Sequence, residues 1–185
     1  VNVNTSIPLS IAPELRRRVK DKRKLVLNAD QLRKGTGYRE QWTGNKNEIY
    51  IVLDNVLDTY NIGSIFRLAD AVAAKKIYLC GETETPPNHR IKKASINTTE
   101  WVEWSYAEDV IGMVMELRER IKGIQIVAIE QSPKSIPYDK FEYKLPICLV
   151  VGHESEGVSR EVLKICDRVV EIPMFGVNKS LNVMV

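Results

Sequence analysis

The sequence predicts an α/β fold in which a parallel sheet carries helices on both faces. Three observations favour it: short apolar runs rich in β-branched residues, amphipathic segments between those runs, and segments rich in Gly, Asn and Ser where some runs end. A strand that is apolar throughout is typical of a parallel sheet buried on both faces. Strands that alternate with helices along the chain favour the same arrangement.

The predicted elements follow one another from residue 49 onward. Apolar, β-branched runs predict strands at residues 49–53, 77–80, 101–104, 124–129, 147–151 and 169–172. Apolar positions three or four residues apart predict helices at residues 61–74, 91–95, 107–122 and 160–166, the last with Ser159 as its N-cap. Residues 14–34 can form a helix, although their apolar positions are sparse.

Composition sets limits on the class of protein. With 185 residues, 44% hydrophobic and 28% charged, the chain suits one domain with an appended arm. No apolar run approaches the roughly 18 residues of a membrane span, and the first ten residues lack the layout of a secretory signal. The three cysteines, Cys80, Cys148 and Cys166, form no C-x-x-C pair, which argues against a disulfide framework or zinc site. We therefore expect a cytoplasmic protein that has neither a metal nor a membrane partner.

Charge is distributed unevenly along the chain. Residues 1–46 hold 11 Lys/Arg against 4 Asp/Glu, whereas residues 47–185 hold 16 against 20, and we place a domain boundary near Asn47. The basic excess is concentrated in seven side chains: Arg16, Arg17, Arg18, Lys20, Lys22, Arg23 and Lys24. Such a stretch suits contact with nucleic-acid phosphates. A solvated helix face is an equally good explanation of the charge alone.

Two common nucleotide-binding motifs are absent from the sequence. Gly35-Thr36-Gly37 has Glu40 where a dinucleotide fingerprint needs its third glycine, and no predicted strand precedes it. No G-x-x-x-x-G-K-[ST] sequence is present. An ordinary Rossmann dehydrogenase or P-loop NTPase is therefore disfavoured.

Two polar segments follow predicted strands and carry candidate functional groups. In the first, residues 61–67, Asn61 opens a predicted helix and is either its cap or a functional amide. Arg67 can bind a phosphate through its planar fork, or form only a surface salt bridge. In the second, residues 151–159, Gly152 and Gly157 allow a ligand to approach the backbone. Glu154 between them either holds a cationic or hydroxyl group or organises the loop.

A third polar segment, residues 172–183, is the most specific of the three. Pro173 ends strand pairing, Gly176 allows a tight turn, and Ser180 with Asn182 is predicted to cap a following helix. Capping explains one polar residue but not the whole Ile-Pro-Met…Ser-Leu-Asn-Val string.

In this order, the three segments resemble the signature of the SpoU (TrmH-like) branch of the SPOUT class of RNA methyltransferases, which methylate ribose 2′-hydroxyl groups. The resemblance runs from about Ile49 to the last residue. It implies S-adenosylmethionine as cofactor, tRNA or rRNA as substrate, a homodimer and a C-terminal trefoil knot. It also implies that residues 47–185 form the methyltransferase domain without its last helix, behind a short basic extension at residues 1–46.

The resemblance also implies a role for nine residues. The catalytic positions correspond to Asn61, Arg67, Glu154, Ser180 and Asn182, and the cofactor-binding positions to Gly152, Ile172, Met174 and Leu181. Because an arginine in a protein stays protonated, we expect Arg67 to stabilise a developing alkoxide rather than act as the base. His153 stands where the family more often has Asn, and a hydrogen-bonding replacement is expected there.

Two other functions are compatible with parts of the sequence. A catalytically inactive RNA-binding module of the same fold is one, although the intact Arg67, Glu154, Ser180 and Asn182 argue against it. An unrelated nucleotide-binding α/β enzyme is the other, and it leaves the third segment unexplained.

Overall fold

In a computed structural model of the protein, which describes residues 46–185, seven strands form one parallel sheet. They are β1 (Asn47–Asp54), β2 (Ala74–Cys80), β3 (Trp104–Ala107), β4 (Gln125–Ile129), β5 (Ile136–Pro137), β6 (Ile147–Gly152) and β7 (Arg168–Glu171). Their order across the sheet is β3-β2-β1-β6-β4-β7-β5, and every neighbouring pair is parallel. The predicted parallel α/β sheet with helices is confirmed. The basic stretch of residues 16–24 and the other predictions for residues 1–45 lie outside the described residues.

Within residues 46–185, four helices cover the two faces of the sheet. They are α1 (Thr59–Ala71), α2 (His89–Ser95), α3 (Val110–Arg120) and α4 (Arg160–Ile165), with 3₁₀ turns at Thr98–Glu100 and Tyr138–Lys140. On one face, α1 and α2 bury residues such as Leu53 and Phe66 in a common cluster. On the other, α3 and α4 bury Val52 with Val114 and Val162. Val52 and Leu53 are adjacent in β1 and point to opposite faces, which is why residues 49–53 of that strand are all apolar.

Helices α1 and α2 cross at very short range. A Cβ on Gly63 would lie 2.5 Å from the Ala94 Cβ and 2.8 Å from the Ile91 carbonyl oxygen, so only glycine permits this packing. The N-cap of α1 is Asp58, whose Oδ1 accepts a 2.7 Å hydrogen bond from the Tyr60 backbone N–H. Asn61, a candidate cap in the sequence, is the third residue of the helix and does not cap it.

Three local predictions differ from the structure. The strand predicted at residues 101–104 is shifted, because residues 98–100 form a 3₁₀ turn and β3 begins at Trp104. Strand β5, only two residues long, was not predicted. The helix that Ser180 and Asn182 were predicted to cap does not begin within residues 172–185; instead, Asn182 Oδ1 accepts from the Met184 N–H at 3.0 Å and organises a turn. Among residues 46–185, no helix is long and apolar enough to cross a membrane.

Candidate functional site

A cavity of about 630 Å³ lies at the carboxyl ends of β4, β6 and β7, where the C-terminal segment (residues 172–185) returns over the sheet. Parallel α/β sheets bind ligands at this edge. Eight of the nine predicted catalytic and cofactor-binding residues line the cavity: Asn61, Gly152, Glu154, Ile172, Met174, Ser180, Leu181 and Asn182. Residues far apart in the sequence are thus brought around one space.

One wall of the cavity is a tight hairpin at residues 153–157, directly after β6. The His153 N–H donates to the Gly157 carbonyl oxygen at 3.1 Å, and the Gly157 N–H donates back to His153 at 2.8 Å. A Cβ on Gly152 would collide with the backbone of Gly157 and Val158. The sequence interpretation, that Gly152 leaves room for a ligand, therefore needs correction: the space above its Cα is filled by the hairpin.

The His153 side chain holds this hairpin together. Its Nδ1 accepts hydrogen bonds from the backbone N–H groups of Ser155, at 3.0 Å, and Glu156, at 3.2 Å. The His153 side chain therefore acts as a hydrogen-bond acceptor within the hairpin, as a short amide side chain does in an Asx turn. Because Nδ1 is the acceptor, the proton of the neutral ring resides on Nε2.

Glu154 joins the hairpin to the loop between β1 and α1. Its Oε1 accepts from the Asp58 N–H at 3.0 Å and from the Asn61 Nδ2 at 2.9 Å. Its Oε2 accepts from the Leu57 N–H at 3.2 Å. Glu154 therefore organises the loop, one of the two roles that the sequence left open, and it orients the Asn61 amide at the cavity wall.

These contacts set the protonation of the Glu154 carboxyl. Burial alone would raise its pKa, but the hydrogen bonds from Asn61 and from backbone N–H groups outweigh burial and hold the pKa below the ordinary 4.5. A carboxyl with a lowered folded-state pKa stabilises the fold above its ordinary pKa, and this contribution is lost as the pH falls through the lowered value.

We therefore expect Glu154→Gln to lower the melting temperature at pH 6, and the difference from wild type to shrink as the pH falls below 4.5. Thermal denaturation followed by circular dichroism between pH 6 and pH 3 measures this difference. Glu156→Gln is the matched control, since Glu156 is exposed in the same hairpin and its carboxylate accepts no hydrogen bond from the described residues. A Glu154→Gln difference that stays constant over the whole pH range would contradict the assignment.

Two further carboxylates, not predicted as site residues, anchor the far end of the hairpin. Asp54 is 1% exposed and its Oδ2 accepts from the Ser159 N–H at 2.8 Å. Glu130 Oε2 accepts from the Val158 N–H, also at 2.8 Å. Each acid ends or directly follows an apolar strand, and this position in the sequence could have identified it as a site residue.

Ser159 occupies the predicted N-cap position, but its hydroxyl makes no cap hydrogen bond.

The C-terminal segment closes the other side of the cavity. Gln131 Nε2, just after β4, donates a hydrogen bond to the Lys179 carbonyl oxygen. Further along, Val183 and Met184 pack against the cluster under α1. The segment thus runs from the end of β7 past β4 toward the α1 face, and it carries Ser180, Leu181 and Asn182 along the cavity.

Arg67 is the one predicted catalytic residue that does not line the cavity. It is exposed on α1, and no hydrogen bond or ion pair to it is found among residues 46–185. Six residues separate it from Asn61, which corresponds to a rotation of about 240° around a helix, so the two side chains leave α1 in different directions. The Asn61 amide donates a hydrogen bond to Glu154. Arg67 instead lies on the side of α1 that carries Gly63, the residue that contacts α2.

The chemistry available in the cavity is that of oxygen and amide groups. Among residues 46–185, its lining carries the carboxylates of Asp58, Glu130, Glu154, Glu156 and Glu171 and one cation, that of Lys179, which favours a ligand with positive charge. Burial raises the pKa of the Cys80 and Cys166 thiols to about 12, so neither is a thiolate at neutral pH. No cluster of His, Cys, Asp and Glu suited to a metal ion is found among residues 46–185.

Comparison with known proteins gives a consistent result. The SpoU rRNA Methylase family matches residues 48–185. A tRNA (guanosine(18)-2′-O)-methyltransferase of Aquifex aeolicus is 35% identical over 151 residues, which cover 80% of this chain and 68% of that protein. A 23S rRNA (guanosine-2′-O-)-methyltransferase of Ralstonia nicotianae is 30% identical, over 87% of this chain and 60% of its own length. The crystal structure of an AdoMet-bound rRNA methyltransferase from Sinorhizobium meliloti has a TM-score of 0.68 and 30% identity, covering 76% of this chain and 52% of that one.

Proposed function

We propose that this chain, which belongs to the SpoU rRNA Methylase family, transfers a methyl group from S-adenosylmethionine to a ribose 2′-hydroxyl of tRNA or rRNA. One observation carries the proposal: eight residues from three distant segments line one cavity at the sheet edge where α/β proteins bind ligands. The relatives named above support both the reaction and the substrate class.

The cavity suits the proposed cofactor in size and charge. A volume of about 630 Å³ is within the usual range for small-molecule sites, and the acidic lining favours a sulfonium cation. S-adenosylmethionine, when bound, supplies a methyl group already activated for transfer. We propose that Gly152, Ile172, Met174 and Leu181 hold it, all four being in the lining.

The chain's own residues must align the ribose hydroxyl and assist the loss of its proton. We propose that Ser180 and Asn182, on the C-terminal segment, orient the hydroxyl, and that Asn61 is held in place for the same task by Glu154. We propose that Arg67 binds the RNA. Its exposed guanidinium can bind a phosphate beside the reacting ribose and stabilise developing negative charge.

A homodimer and a C-terminal knot, both implied by the resemblance, are also part of the proposal. Leu57, Tyr60, Leu68 and Val72 are between 41% and 54% exposed on and beside α1, an apolar surface that a second copy of the chain would cover. The return of the C-terminal segment past Gln131 to the α1 face supports a knotted path.

We further propose that the basic stretch of residues 16–24 adds general phosphate affinity, because residues 47–185 are net acidic. Neutralising four of its cations, Arg16, Arg17, Lys20 and Lys24, is expected to flatten the log–log salt dependence of RNA affinity by about 3, at ~0.7 per single-strand phosphate contact. Fluorescence anisotropy with labelled RNA at several salt concentrations measures the slope, and S-adenosylhomocysteine affinity is the internal control. An unchanged slope would identify the stretch as a solvated surface.

Two assays test the function as a whole. Calorimetry is expected to detect binding of S-adenosylhomocysteine, and incubation of labelled S-adenosylmethionine with total RNA is expected to label RNA. Cofactor binding without any transfer to RNA would favour the inactive RNA-binding module instead.

A further inference from the structure

Three of the proposed site residues lie on an exposed part of the C-terminal segment. All residues from 175 to 182 are exposed. Phe175 and Val177 are each 96% exposed, so apolar packing does not hold this loop in place. Because buried contacts are what usually fix a segment, the position of the loop must depend on other interactions. The loop carries the proposed site residues Ser180, Leu181 and Asn182.

The sheet and the apolar core anchor the C-terminal segment on either side of this loop. Upstream, β7 ends at Glu171 within the sheet. Downstream, Val183 and Met184 pack against the cluster under α1. Eleven residues, 172–182, lie between these two anchors. A loop of that length has many conformations in which its ends are equally well placed, so the anchors alone do not fix its middle.

One hydrogen bond provides a third anchor inside the loop. The Gln131 Nε2 donates to the Lys179 carbonyl oxygen, and among residues 46–185 no other hydrogen bond joins residues 173–185 to the rest of the chain. This bond leaves only three residues, 180–182, between Lys179 and the packed side chain of Val183. Those three are the proposed site residues, so the bond restricts the part of the loop that faces the reactants.

Gln131 is itself held by the end of β4. The N–H of the preceding residue, Glu130, donates to the Val170 carbonyl oxygen of β7 at 2.9 Å. The Gln131 N–H donates to the Glu130 Oε1 at 2.7 Å, and the Glu130 Oε2 accepts from the Val158 N–H at 2.8 Å. The end of β4 therefore holds both walls of the cavity, the hairpin through Glu130 and the C-terminal segment through Gln131.

We propose that Gln131 is a positioning residue for methyl transfer, because its side-chain amide holds the Lys179 carbonyl and thereby sets the positions of Ser180 and Leu181. The reaction itself rests on the proposed function. Gln131 acts through the backbone of the segment, and the reaction is fast only when the reacting groups are already aligned. Without the bond, fewer molecules hold the segment in place. One exposed hydrogen bond changes such a population by about 2- to 10-fold.

The test compares Gln131→Ala and Gln131→Glu with a matched control, Gln125→Ala. Gln131→Glu keeps the size of the side chain but replaces the amide donor with a carboxylate, which cannot donate to a carbonyl oxygen. Gln125 lies at the opposite end of β4 and also bonds to a backbone group, since its Oε1 accepts from the Lys144 N–H at 2.7 Å. Both alanine variants lose one exposed hydrogen bond, so their melting temperatures are expected to be similar.

Trypsin measures how firmly the loop is held without any methyl transfer. It cleaves after lysine, so the Lys179 carbonyl must leave Gln131 and enter the active site of the protease. Cleavage after Lys179, followed by mass spectrometry, is expected to be about 2- to 10-fold faster in both Gln131 variants and unchanged in Gln125→Ala. A wild-type rate in Gln131→Glu, or an equal increase in Gln125→Ala, would overturn the role of Gln131.

Cofactor binding and turnover connect the loop to the site. In both Gln131 variants, the affinity for S-adenosylhomocysteine and the kcat for RNA methyl transfer are expected to fall by about 2- to 10-fold, with the KM for RNA unchanged. Faster cleavage with wild-type affinity and kcat would overturn the positioning role. Absence of methyl transfer by the wild-type chain would instead contradict the proposed function, and cleavage and affinity would then decide whether Gln131 holds the segment.

Discussion

Replacing Arg67 with alanine is expected to lower the kcat for RNA methyl transfer by about 100- to 1000-fold, the usual cost of removing a group that stabilises transition-state charge. The affinity for S-adenosylhomocysteine is expected to be unchanged, because Arg67 lies outside the cavity lining. Arg67 is exposed and unpaired within residues 46–185, so its removal leaves no buried group unsatisfied. Folding stability should therefore also be unchanged.

The lysine variant tests the geometry of the contact. Arg67→Lys keeps the charge but not the planar fork, and it is expected to recover only a small part of the activity. Arg168→Ala is the matched control and should retain full activity, because Arg168, at the start of β7, is exposed and forms no ion pair within residues 46–185. Full activity of Arg67→Lys, or an equal loss in Arg168→Ala, would contradict the role given to the Arg67 guanidinium.

Gly152→Ala is expected to disturb the whole site through the hairpin. An added Cβ would collide with the Gly157 and Val158 backbone, which cannot move aside as a side chain can. Forced overpacking of this kind costs about 3 kcal/mol, the upper part of its usual range. At ~2–4 °C per kcal/mol for a chain of this size, the melting temperature should fall by about 6–12 °C. Glu154 would move with the hairpin, so S-adenosylhomocysteine affinity should fall as well.

Gly176 provides the matched control for this substitution. It lies on the C-terminal segment, where an added Cβ would meet nothing within 4 Å. Gly176→Ala is expected to leave both the melting temperature and the cofactor affinity near wild type. If Gly152→Ala behaves in the same way, the hairpin does not pack on β6 as described.

The sequence predicted the elements whose patterns are continuous and long. Strands β1 and β6 are apolar on both faces, and α1 and α3 have apolar positions at helical spacing. Strand β5 has two residues, too few for any pattern. The alternation around Trp101–Trp104 is compatible with a strand, but the chain forms a 3₁₀ turn just before it and β3 begins only at Trp104. Local sequence does not fix where such a strand begins.

The sequence predicted which segments come together at the cavity, but not the geometry of their contacts. The segments that line the cavity follow strands, and the carboxyl ends of parallel strands meet at one edge, so their proximity could be anticipated. That Glu154 accepts hydrogen bonds from Leu57, Asp58 and Asn61, more than ninety residues earlier, is a tertiary contact with no local signal. The different directions of the Arg67 and Asn61 side chains could have been predicted from the sequence, because residues six apart do not lie on the same side of a helix.

The chemical position of the transferred methyl group tests the proposed reaction most directly. After incubation of the chain with methyl-labelled S-adenosylmethionine and total RNA, the RNA is hydrolysed in alkali. Alkaline cleavage needs a free 2′-hydroxyl, so a 2′-O-methyl group protects the adjacent phosphodiester and leaves a dinucleotide. Ribose methylation predicts that the label appears in alkali-resistant dinucleotides and is lost with Arg67→Ala. Label confined to mononucleotides would place the methyl group on a base and contradict the proposed function.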